Sequence, residues 1–105
     1  MSKEYASALF SLAREAHVED EILDELKVVA KLMEDNPEIL EFLAAPNISK
    51  RERCGALKKA LDGQVHEYVL SFLQLLCDRE RIRLLGECVE EFAAMLDEEK
   101  GVLTA

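Results

Sequence analysis

Residues 65–77 read VHEYVLSFLQLLC, and after Tyr68 the one long polar side chain is Gln74. Val65, Val69, Phe72, Leu73 and Leu76 recur at i, i+4, i+7, i+8 and i+11, a single helical stripe. Tyr68, Leu70 and Leu75 lie off that stripe. The run is too short for a bilayer, which needs about 20 apolar residues. It therefore predicts a central helix of a bundle, apolar on more than one side, with the rest of the chain supplying helices to cover it.

The chain has 105 residues, 50% of them apolar, enough for one domain with one core. Four Gly and two Pro are too few for the frequent turns of a β-sandwich, so the expected class is all-α. A net charge of −9 argues against nucleic acid, whose phosphates need a basic face. No apolar segment of the secretory type follows Met1. Cys54, Cys77 and Cys88 are odd in number and lack metal-type spacing, so they read as reduced thiols of an intracellular protein.

Six helices are predicted, over residues 3–17, 20–34, 37–44, 50–62, 65–77 and 82–99. In the first, Ala6, Leu9, Phe10, Ala13 and Ala16 form the inward stripe, with Ser2 as the expected cap. In the second, Ile22, Leu23, Leu26, Val29, Ala30 and Met33 face inward, and Glu21, Asp24, Glu25, Lys27 and Lys31 face water. Asn36 is an expected N-cap with Pro37 at the first helical position, where its missing N–H is harmless. Ser49-Lys50-Arg51-Glu52 is a capping box that starts the fourth helix, and Gly63 is a left-handed residue beyond its end. Cys54, Leu57, Ala60 and Leu61 make that helix's weak apolar face. In the sixth, Leu85, Cys88, Val89, Phe92, Ala93 and Leu96 face inward until Gly101. The bundle spans residues 1–99. Residues 100–105 change character and read as the start of a linker or strand leading to a further domain absent from this chain.

No motif demands catalysis. His17 and His66 each sit at a helix end with no ligand at i+3 or i+4, which suits surface or cap histidines better than a metal site. The carboxylates lack the order of a calcium loop and the Glu-x-x-His of a di-metal bundle. Lys50, Arg51, Arg53, Lys58 and Lys59 make a basic patch expected to face solvent. Neither a phosphate-cradling glycine loop nor a nucleophile elbow is present. No cofactor and no metal are expected.

Two rows suggest binding instead. Tyr5, Ala8 and Leu12 flank the core stripe of the first helix; Tyr68, Ser71 and Leu75 flank that of the fifth. Each reads aromatic, small, Leu at i, i+3, i+7, along one helical face. Side by side, and with Leu9 and Phe72 of the adjoining stripes, they would make a shallow apolar groove for a partner helix. The alternative is that both rows are further core, covered by helices two to four.

Tyr5-Ala6-x-Ala8-Leu9-Phe10 resembles the opening of the delta subunit of bacterial F-type ATP synthase, whose mitochondrial counterpart is the oligomycin-sensitivity-conferring protein. Phe42-Leu43-x-x-Pro46 with Ile48 and Lys50 loosely resembles that family's next segment. Phe72-Leu73-x-Leu75-Leu76 followed by Arg81-Ile82 is similar to a third. The resemblance implies a six-helix N-terminal domain of a non-catalytic stator subunit, peripheral at the cytoplasmic face of the cell membrane and not inserted in it. It implies docking of the N-terminal helix of an alpha subunit of the catalytic hexamer. It assigns the peripheral-stalk b subunit to a C-terminal domain missing here. A generic helical adaptor for another amphipathic helix is the alternative.

Overall fold

The computed structural model describes residues 1–101. Its elements are α1 (Ser2–Ala16), α2 (Glu19–Asp35), α3 (Pro37–Leu43), α4 (Lys50–Leu61), α5 (Glu67–Asp78) and α6 (Leu85–Glu99), with one 3-10 turn (Ile82–Leu84) before α6. The expected all-α class and the count of six helices hold, with no strand among the described residues. The strand expected after Gly101 falls on residues 102–105, outside the described residues.

The stripes do the packing. Ala6, Leu9, Phe10 and Ala13 are the buried face of α1, and the two alanines let a neighbour approach closely. That neighbour is α6, and α1 with α6 is the most extensive pairing in the bundle. Phe10 meets Phe92 edge-on, centroids 5.2 Å apart and planes at 78°, the arrangement that the ring quadrupoles favour. Around this pair α5 buries Val69, Phe72, Leu73, Leu76 and Cys77 and touches α1, α2, α4 and the 3-10 turn. So α5 is central, as its stripe predicts, but it does not make the largest interface.

Several local expectations need correction. Val65 is half-buried and precedes α5, because His66 caps the helix: its Nδ1 accepts the Tyr68 N–H at 3.0 Å. Ser2 is not a cap. It lies within α1, is buried, and its hydroxyl donates to Glu87 Oε1 at 3.2 Å. Asn36 is the N-cap residue of α3, as expected, but its side chain makes no capping bond there; its amide instead closes α2, donating to the Leu32 carbonyl at 2.9 Å. Ala16 and Ala60 are exposed rather than part of the inward faces. Glu25 does not simply face water: its carboxylate accepts the His66 backbone N–H.

The sixth helix does not run unbroken from Ile82. Glu80 ends α5 in the left-handed region at φ 59°, with Arg81 N–H on Leu76 O and Glu80 N–H on Cys77 O. This is the Schellman pattern, usually built on glycine. The chain then makes the 3-10 turn that drives Ile82 into the core before α6 begins. His17 ends α1 the same way at φ 58°, so both histidines serve helix ends. The capping box at Ser49 is present, Glu52 N–H donating to Ser49 Oγ at 3.1 Å. Gly63 is left-handed as expected, at φ +78°.

The basic patch of α4 is the largest departure. Arg53 is 3% exposed and turned inward, its guanidinium donating to the Leu43 carbonyl at 3.2 Å. Leu43 ends α3, whose last carbonyls lack helical partners. A cation there answers both the free carbonyl and the negative end of the dipole. Glu80 lies 3.8 Å away and is mostly exposed, so it contributes little.

Candidate functional site

At 3.6 residues per turn, Tyr5, Ala8 and Leu12 fall within about 60° of arc, and so do Tyr68, Ser71 and Leu75. The structure keeps both rows open. Leu12 is 47% exposed and Leu75 39%, and Ala8 and Ser71 are exposed. Tyr5 and Tyr68 are half-buried, each leaning on the core. Leu9 and Phe72 are buried and support the surface from below. Helices α2 to α4 therefore do not cover the rows, and α1 and α5 are in contact.

The face is shallow. An open depression of about 510 Å³ holds Ala8 together with Lys3, Glu4, Ser7 and Ser11, all from α1. Ser7 and Ser11 extend the small-residue floor that Ala8 begins. They sit at i, i+4 on either side of Ala8, a spacing visible in the sequence that the reading of the two rows leaves out. Ser71 is not part of this depression, so the two small residues are not brought into one pocket.

Tyr68 is positioned from a distance. Glu25 on α2 accepts the His66 N–H at 2.5 Å, and His66 in turn accepts from Tyr68. The two rings lie 4.7 Å apart at 54°. The placement of one row's aromatic residue thus depends on α2, through a carboxylate that sequence reasoning placed in solvent. Helical periodicity carries no signal for such a contact.

Other large exposed apolar side chains are Met1, Val28 and Leu32 on α2, and Phe42 on α3. Val28 borders a small depression with Asp24, Glu25, Gln64 and Val65. No residue of the α1 and α5 rows lines it.

Among the described residues, no group of three or more His, Cys, Asp or Glu side chains could hold a metal ion. No helix of the described residues is long and apolar enough to cross a membrane.

A family model described as ATP synthase delta (OSCP) subunit matches residues 1–105. ATP synthase subunit delta of Acetivibrio thermocellus is 38% identical over 99 residues, covering 94% of this chain and 56% of the relative. The subunit of the same name from Bacillus thuringiensis (strain Al Hakam) is 37% identical over 105 residues, covering all of this chain and 58% of the relative. The chain thus spans a little over half the length of these curated relatives.

Proposed function

The chain belongs to the ATP synthase delta (OSCP) subunit family, and on that premise we propose that it is a non-catalytic docking module of the peripheral stalk. It seats the N-terminal helix of an alpha subunit of the catalytic hexamer against the α1 and α5 rows. It thereby helps keep the hexamer from turning with the rotor during proton-driven ATP synthesis. The module works at the cytoplasmic face of the cell membrane, as a peripheral part of the complex. Attachment to the b subunit belongs to the portion of the family's length outside these 105 residues.

The observation that carries this reading is the pair of half-exposed leucines, Leu12 and Leu75, on two helices in contact, each one turn beyond an exposed small residue. Each has roughly half of its side chain left to bury, worth on the order of 1 kcal/mol. The small residues Ala8 and Ser71 leave room for a partner backbone between the Leu and the Tyr of each row. Helix-in-groove recognition needs such anchors at helical spacing.

The test is a calorimetric titration of this chain with a peptide of the alpha subunit's first ~20 residues, a length that gives a helix of about 30 Å. Saturable one-to-one binding with helix induction is the expected result. No binding at millimolar peptide would remove the proposal.

A further inference from the structure

Two thiols that the sequence leaves unrelated meet where α4 packs on α5. Cys54, on α4, is half-buried; Cys77, on α5, is fully buried. The Cys54 Sγ donates to the Gln74 carbonyl at 3.8 Å, one turn before Cys77 on the same helix. Both side chains thus turn into the same α4–α5 seam, Cys54 against the backbone turn of α5 that carries Cys77. The Cys77 Sγ points at the Leu43 carbonyl, 3.7 Å away, the same oxygen that accepts from Arg53. Arg53 is buried and its Nε has no partner, so a cation with a spare donor stands beside the pair.

We propose that Cys54 and Cys77 form an oxidisable dithiol, which a hydroperoxide converts to an intramolecular disulfide that staples α4 to α5. Cys54 reacts first because it alone of the two reaches solvent. Its sulfur attacks the peroxide O–O bond, giving the sulfenic acid and releasing the other oxygen as an alcohol, or as water when the oxidant is hydrogen peroxide. Cys77 then attacks the Cys54 sulfur, forming the S–S bond and expelling the second oxygen as water. Each sulfur loses one electron, and the two electrons reduce the peroxide. Burial pushes the Cys77 thiol up to about 11, with Arg53 pulling the other way. That keeps Cys77 protonated and unreactive toward peroxide, and in the second step its proton leaves with the sulfenic oxygen as water. The staple would lock the α4-facing side of α5, away from the Tyr68, Ser71 and Leu75 row.

Cys88 serves as an internal control. It is buried on α6, and its Sγ donates to the Ser2 carbonyl at 3.7 Å. The experiment treats the 105-residue chain with hydrogen peroxide, unfolds it in iodoacetamide, and reads the intact mass and tryptic peptides. The expected product has lost two hydrogens, about 2 Da, and takes up one alkyl group, at Cys88. It links residues 54–58 to residues 60–79, and dithiothreitol reverses the change. Cys88→Ala should leave the link in place, and Cys54→Ser should abolish it. Three alkylated cysteines after oxidation would overturn the proposal. So would a Cys54 carried to sulfinic acid or into a dimer between chains with no 54–77 link.

Discussion

The backbone N–H of His66 donates to Glu25 Oε1 at 2.5 Å, joining residues 41 apart in sequence. One carboxylate thereby fixes where α5 starts relative to α2. Hydrogen bonds to charged groups contribute about 1.5–3 kcal/mol. Glu25→Ala should cost about that much in urea melts, whereas Glu21→Ala, on the exposed side of α2, should stay within about 0.5 kcal/mol. Equal losses from the two substitutions would mean that the bond contributes nothing.

Arg53 offers a test of how a buried cation is held. Arg53→Ala should cost about 2–4 kcal/mol, because it opens a cavity and strips the Leu43 carbonyl of its charged donor. Glu80→Gln should cost less than about 1 kcal/mol, since that partner is exposed and distant. If Glu80→Gln were as damaging as Arg53→Ala, the ion pair rather than the carbonyl would be the anchor.

What was legible in the sequence follows from range. The stripe Ala6, Leu9, Phe10, Ala13 repeats at the helical period, so its inward face could be read directly, as could the capping box at Ser49. Arg53 sits among Lys50, Arg51, Lys58 and Lys59 and reads as surface. Only the end of α3, packed beside it, turns it inward. The Glu25–His66 bond and the meeting of Cys54 with Cys77 are likewise tertiary, with no period to announce them. The two rows proposed to dock a partner were half legible. Their spacing is a local property, but their exposure depends on where α2 to α4 pack.

His17 occupies the left-handed region at φ 58°, ψ 41°, with its side chain exposed. A residue with a Cβ is strained there and glycine is not, so His17→Gly should stabilise the chain by about 0.5–1 kcal/mol. Thermal melts would show a small rise in Tm. An unchanged or lowered Tm would mean that the imidazole makes a compensating contact.

The buried thiols make the fold sensitive to alkali. Burial pushes both Cys77 and Cys88 up to about 11. An unfolded cysteine titrates near 8.5. Between those values the unfolded chain has released protons that the folded chain still holds, so stability is intact below about pH 8.5 and falls as pH rises toward 11. The loss should reach about 1–3 kcal/mol per thiol. Urea melts from pH 8 to 11 on the reduced protein should show a shallower decline for Cys88→Ala than for the unsubstituted chain. Parallel declines would assign the effect to other groups.

Filling the floor of the two rows tests the docking surface most directly. Ala8 and Ser71 are exposed and lie between the Tyr and Leu of each row, so a large side chain there has room in the free chain and would have none beneath a helix docked as proposed. Calorimetric titration with the alpha-subunit peptide should show Ala8→Trp and Ser71→Trp weakening binding more than tenfold, about 1.4 kcal/mol or more, with Tm little changed. Peptide binding of normal affinity by both folded variants would contradict the account and place the docking surface elsewhere.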